Sequence, residues 1–230
     1  MNDRIPIEIG TREEYARWAA TYDTERNGLI ALEEQHTRDL LADLPRRAVL
    51  DLAAGTGRHA LKLASDGVRT VALDQSPEMI AVGRRTAAAV GATIEFVLAR
   101  IDDDLPFRTG SFDLIVCGLA LCHLTDIATP MQECARLLHP GGHLLLTDFH
   151  PTSVASGLRT TFSTDEATYW LPNAPHSRQD YLDAATGVGF DLRAVRDLPV
   201  RDIPPGAARA SFIEQYGDTD FCLLILAQRR

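Results

Sequence analysis

The chain has one lysine, Lys62, among its 230 residues, and 32 acidic against 23 basic residues leave a formal charge of −9. Phosphate backbones are bound by clustered Lys and Arg, so this balance argues against a nucleic-acid groove. The pairs Arg46-Arg47, Arg84-Arg85 and Arg229-Arg230 are isolated and read as solvated faces or ends. Cysteine is scarce too: Cys117, Cys122, Cys134 and Cys222 show no CxxC spacing, and two lie inside apolar, strand-like runs. They read as small buried thiols of a reducing compartment, with no metal or disulfide framework. No apolar run reaches membrane-spanning length, and the first residues lack the order of a secretory signal. The expectation is a soluble cytoplasmic protein, with neither nucleic acid nor membrane as partner.

What is present is enough for one α/β domain. The hydrophobic fraction of 45% is ordinary for a globular chain, and no repeat or linker divides it. Its organising stretch is 48–74. Val49 to Leu52 is a short apolar run carrying Asp51, followed at once by Ala53, Ala54, Gly55, Thr56, Gly57 and a helical pattern from Arg58 to Ser65. A buried parallel strand that empties into a tight turn and a helix is the half-unit of nucleotide-binding sheets. Small residues there let backbone approach a ligand. The next strand, Thr70 to Leu73, ends in Asp74, whose carboxylate suits both hydroxyls of a ribose, which reads as an adenosine site.

Asp51-Leu-Ala-Ala-Gly-Thr-Gly57 with Asp74 resembles the first two motifs of class I S-adenosylmethionine-dependent methyltransferases, in particular those acting on small molecules. The likeness continues, in the family's order, through Leu105-Pro106-Phe107, Ser111 to Val116, Leu121-Cys122-His123-Leu124 and Leu137 to Gly142. The resemblance implies a doubly wound, mostly parallel α/β sheet of seven strands with helices on both faces, the last strand antiparallel between its predecessors. It implies one domain over 1–230: an N-terminal helical lid to 44, a cofactor-binding core over 45–150, a substrate-capping insertion over 151–180 and the end of the sheet to 230. S-adenosylmethionine is the implied cofactor. Asp51 would meet its amino group, the start of the helix after Gly57 its carboxylate, Asp74 and Gln75 the ribose, and Ala53, Gly55, Gly57 and Gly118 would line its path. Ala53 stands where the family usually has Gly, which a negative φ accommodates. Arg100 and Ile101 replace the usual Gly-Asp ahead of Asp102, Asp103 and Asp104, which leaves open which of these groups faces the adenine; Asp102 is the candidate. Tyr22 would close over the cofactor or belong to an aromatic packing stripe. Met79 would sit near the adenine or in the core.

The remaining elements follow from pattern. Thr11 with Glu14 makes a capping box for a helix with Tyr15, Trp18 and Tyr22 on one face, after a loose tail over 1–10, and a second helix runs from Leu29 to Leu44. Ser76, Pro77 and Glu78 open a helix to Val90. Strands are expected at Ile94–Leu98, Phe112–Gly118, His143–Phe149, Asp191–Leu198 and Phe221–Gln228, and further helices at Met131–Leu138 and Arg178–Thr186. Ligands collect outside the carboxyl ends of parallel strands. His123 and His150 are therefore the catalytic candidates, each with a structural reading beside it. Residues 152–180, with Ser, Thr, Gly and Pro among aromatics, should cap the pocket; Tyr169, Trp170 and His176 are the substrate-contact candidates. The leading function is methyl transfer to O, N or C of a small molecule. Three others stand beside it: a non-methylating cyclisation or rearrangement on the same fold, a binding module, and a nicotinamide-dependent oxidoreductase, since Gly55-Thr-Gly57-Arg-His-Ala60 fits the dinucleotide fingerprint.

Overall fold

The computed structural model describes residues 7–8, 10–64, 68–163 and 167–230. In chain order the elements are β1 (Ile7–Glu8), α1 (Thr11–Trp18), α2 (Gly28–Ala42), β2 (Ala48–Leu52), α3 (Arg58–Leu63), β3 (Arg69–Asp74), α4 (Pro77–Val90), β4 (Ile94–Leu98) and β5 (Phe112–Gly118). There follow α5 (Ala128–Leu137), β6 (Leu138–Phe149), α6 (Pro151–Ala155), β7 (Thr161–Ser163), β8 (Thr168–Trp170), α7 (Arg178–Gly187), β9 (Phe190–Pro199), α8 (Ala210–Tyr216) and β10 (Asp220–Arg229).

Seven strands form one sheet in the order β4-β3-β2-β5-β6-β10-β9, with β10 antiparallel to both neighbours and the other pairings among β2 to β6 parallel. The antiparallel strand inside the sheet departs from the parallel 3-2-1-4-5-6 order of dinucleotide folds, which removes the structural basis of the oxidoreductase reading. Alternation in the central strands explains two cores. Leu50, Leu52, Ile115, Cys117, Leu144 and Leu146 face α5 and α7, while Val49, Leu114, Val116 and Leu145 face α2 and α3. Both faces are covered, so these strands read as continuous apolar runs. All four cysteines are free and buried. Asp113, at the start of β5, fastens the sheet's lower edge: its Oδ2 accepts the Arg47 and Ala48 amides at 3.0 and 2.8 Å, and His139 Nε2 lies 2.8 Å from its Oδ1.

Several boundaries differ from expectation. Gly10, not Thr11, is the N-cap of α1; the Thr11 and Glu14 side chains of the expected capping box lie outside the description, as does Ser65 of the first crossover helix. Asn27 caps α2 by accepting the Leu29 and Ile30 amides, so that helix opens at Gly28. Asp126 accepts the Ala128 amide at 2.8 Å, which starts α5 three residues before Met131. Within the expected tail, Ile7 and Glu8 pair parallel with Tyr169 and Trp170; residues 1–6 and 9 lie outside the description. The region 152–180 holds α6, β7 and β8 where irregular loop was expected, and α8 was missed. Strands β1, β8 and β7 form a small second sheet. Phe162 stacks between Trp18 at 5.0 Å and Tyr169 at 5.1 Å, which fastens α1 to this sheet.

The turn after β2 departs from expectation in conformation. Ala53 has φ 56°, in the left-handed region, where a Cβ costs about 1 kcal/mol relative to glycine. Chemical denaturation should therefore find Ala53→Gly neutral to about 1 kcal/mol more stable, and Ala53→Val about 2 kcal/mol or more less stable. Equal losses from both substitutions would contradict a left-handed Ala53.

Candidate active site at the carboxyl ends of the central strands

A cavity of about 620 Å³ opens where β2, β3 and β5 end, the position that parallel sheets offer to ligands. Its wall is built from Asp51, Ala53 and Gly55 at the end of β2, Asp74 and Gln75 at the end of β3, Arg100 to Asp102 after β4, and Gly118 to Ala120 at the end of β5. Residues of α1 and the segment after it, including Tyr15 and Tyr22, also line it, as do His123 and Leu124.

The turn between β2 and α3 is held by two carboxylates. Asp51 is 1% exposed, and its Oδ2 accepts the Ala60 amide at 2.8 Å; burial pushes its carboxyl above the usual range. Asp74 Oδ2 accepts the Gly55 amide at 2.7 Å and Oδ1 the Ser76 amide at 2.8 Å. Burial raises its carboxyl as well, opposed by these backbone N–H groups. Each Asp74 oxygen keeps a lone pair for a ligand hydroxyl. Gly55 adopts φ 58° with open space where a Cβ would stand, so a ligand reaches the main chain there. Leu119 shares the left-handed conformation at φ 59°. Leu119 and Ala53 are the two non-glycine residues of positive φ among those described, and both border the cavity.

Beneath the cavity lies a charge cluster that the sequence reading missed. Glu33 of α2 has no exposure; it pairs with Arg58 Nη1 and accepts the Thr147 hydroxyl at 3.0 Å. His59 Nε2 lies 3.0 Å from Glu33 Oε1, in ion-pair range without the alignment of a hydrogen bond. Burial alone would raise the Glu33 carboxyl; Arg58 and His59 outweigh it and hold the group well below its ordinary value. The signal was the helical spacing of Leu29, Glu33, Thr37 and Leu41, which puts an acid and a hydroxyl on the buried face. Burial raises the Tyr22 hydroxyl, opposed by the neighbouring Arg58.

His123 Nδ1 lies 3.0 Å from the Pro172 carbonyl and Nε2 3.2 Å from the Tyr15 hydroxyl. A carbonyl only accepts, so Nδ1 carries the proton and Nε2 presents its lone pair to Tyr15. Burial lowers the His123 pKa, opposed by the Pro172 carbonyl and by Asp148.

Of the expected cofactor contacts, Tyr22, Asp51, Ala53, Gly55, Asp74, Gln75, Asp102 and Gly118 line this one cavity. Asp102 is bound to Arg100 through two hydrogen bonds of 2.9 and 2.6 Å. Two do not line it. Gly57, at φ 82°, shapes the start of α3 and packs toward Phe96, and Met79 is a core residue of 1% exposure. The helix start is also less open than expected, because Asp51 already takes the Ala60 amide.

Among the catalytic candidates only His123 lines the cavity. His150 is 2% exposed and caps α6, its Nδ1 accepting the Thr152 amide while Nε2 faces Asp197 at 3.1 Å. A histidine before a proline at the first helical position is a legible cap. The three substrate candidates lie off the wall. Tyr169 is 5% exposed in the aromatic stack, and Trp170, on the opposite face of β8, carries Arg159 over its ring. His176 Nε2 lies 2.6 Å from the Leu124 carbonyl, with its ring edge-on to Tyr181. Among the described residues no group of side chains is arranged to hold a metal ion, and no helix is long and apolar enough to cross a membrane.

Residues 50–146 match the model of a methyltransferase domain. The chain is 30% identical over 143 residues to a ubiquinone biosynthesis O-methyltransferase of Xanthomonas oryzae pv. oryzae, covering 62% of this chain and 59% of that protein. It is 36% identical over 149 residues to a demethylmenaquinone methyltransferase of Beutenbergia cavernae, covering 64% of this chain and 60% of the relative. The chain thus spans about three fifths of the length of these curated relatives. The crystal structure of an S-adenosylmethionine-dependent methyltransferase from Mesorhizobium loti shares the fold, with TM-score 0.70 at 24% identity over 86% of this chain and 98% of that one. Residues 50–146 thus match a methyltransferase domain, and the seven-stranded sheet shares the fold of an S-adenosylmethionine-dependent methyltransferase of known structure.

Proposed function

We propose that the chain is an S-adenosylmethionine-dependent methyltransferase acting on a small-molecule acceptor, at an oxygen or an acidic carbon. The observation that carries this reading is the shared cavity: Asp51, Gly55, Asp74 and Gly118, from three adjacent strand ends, line the same space as His123. The cofactor's sulfonium supplies an electrophilic methyl, so the donor needs no activation by the protein. The residues present suit the group. Asp74 keeps an acceptor site on each oxygen for a ribose, Asp51 keeps Oδ1 for an ammonium, and Gly55 leaves the main chain bare. Gln75 and Asp102 flank the adenosine side, and Tyr22 covers it from the N-terminal segment.

The acceptor's side of the reaction falls to His123. Its Nε2 lone pair takes a proton from an acceptor hydroxyl or acidic carbon that enters where Tyr15 now bonds. Holding the nucleophile in line contributes most, about 7–11 kcal/mol in favourable intramolecular cases, and a base about two to four powers of ten. The relatives' names support the choice of acceptor: one methylates an oxygen in ubiquinone biosynthesis, the other a demethylmenaquinone.

Isothermal titration should show binding of S-adenosylmethionine and S-adenosylhomocysteine but not NADH, with Asp74→Asn weakening both about tenfold to a hundredfold. Binding of NADH alone would overturn the reading. With a quinol or phenol acceptor, His123→Asn should lower kcat by about two to four powers of ten while leaving cofactor affinity within about twofold. The imidazole works as a base only when neutral, and burial lowers its pKa from 6.5. The acid limb of kcat/KM should therefore lie below pH 6.5 and vanish in His123→Asn; an acid limb kept by the variant would remove His123 from the chemistry. Asp148 from β6 and Tyr15 from α1 are the titratable groups facing the ring.

A further inference from the structure

Three arginines line the cavity: Arg12, Arg58 and Arg100. Arg12 is exposed on α1. Arg100, half exposed, is engaged through Nε and Nη2 by Asp102. Arg58 differs in both respects. Its side chain is 13% exposed, and its Nη1 is held by Glu33, with Glu34 3.6 Å away. Its Nη2 lies over the end of β5: a Cβ built on Gly118 would stand 2.9 Å from it. Among the described residues Nη2 donates no hydrogen bond. Glycine at 118 is what lets a guanidinium edge rest there.

The charges around it are matched. Glu33 and Glu34 face Arg58 and Lys62, with Lys62 Nζ 2.6 Å from Glu34, so each of the two acids meets a base before a ligand arrives. On the same wall Asp51 offers a carboxylate oxygen for an ammonium. A cation and an anion a few side chains apart on a shielded wall suit a zwitterion, and a planar guanidinium suits a carboxylate. The Ala60 amide, which would otherwise face an anion, is taken by Asp51.

We infer that Arg58, through Nη2, binds the carboxylate of the amino-acid end of the cofactor, and that Glu33 is the positioning residue holding that guanidinium in place. The inference rests on the cofactor reading above and adds to it the group that distinguishes an amino-acid-bearing nucleoside from one without a carboxylate.

The test compares S-adenosylhomocysteine with its decarboxylated form, S-adenosyl-3-thiopropylamine, by isothermal titration. Wild type should prefer the carboxylate-bearing ligand about tenfold to a hundredfold. Because Arg58→Gln alone would leave Glu33 buried and unpaired, the Glu33→Gln/Arg58→Gln double variant removes both charges together. Its preference should fall to within about threefold, with affinity for the decarboxylated ligand changed little. Arg58→Lys should keep an intermediate preference, and Glu33→Gln alone should reduce it with Arg58 still present. A preference of about tenfold or more surviving in the folded double variant overturns the assignment of Arg58, and an unchanged preference in Glu33→Gln overturns the positioning role. Failure of wild type to bind S-adenosylhomocysteine at all overturns the cofactor reading and this assignment with it.

Discussion

A carboxylate sealed from water must meet a cation or lose its charge, and Glu33 meets Arg58. That pairing ties α2 to the first residue of α3, and the Thr147 hydroxyl carries the tie into β6. The turn from 53 to 57 is then clamped from both sides, since Asp51 holds Ala60 beyond it and Asp74 holds Gly55 within it. A pair of this kind is a weak source of net stability, while removing one partner costs about 3–5 kcal/mol. Its stronger effect is positional: it leaves the cavity wall one preferred arrangement.

The central sheet was legible because its strands are buried on both faces. Such strands read as unbroken apolar runs between glycine, proline and acidic punctuation, and β5 begins and ends where its run does. Ser76 followed by Pro77 announces α4, whose N-cap accepts the Met79 amide. The cofactor side of the site was legible for a related reason. A turn that must bring backbone to a ligand is built from small residues, and an acid at a strand end has few other uses.

Less local features escaped. The pairing of Ile7–Glu8 with Tyr169–Trp170 joins segments far apart in the chain, and no periodicity in two residues reveals it. Tyr169 and Trp170 were read as pocket aromatics from composition alone; three residues of strand decided which face each took, and neither took the cavity. Ala53 gave no warning, because alanine is not a residue that marks a left-handed turn. Glu33 drew no reading from the sequence, because its partner Arg58 comes from α3, far along the chain.

The stack of Trp18, Phe162 and Tyr169 has a consequence for how such a chain diversifies. The helix that covers the site and the insertion after β6 are one packed unit drawn from two stretches of sequence, with β1 stitched to β8. Exchange of either stretch alone would strand half of an aromatic cluster in water. Recombination or grafting between homologues would therefore succeed with the two stretches moved as a cassette.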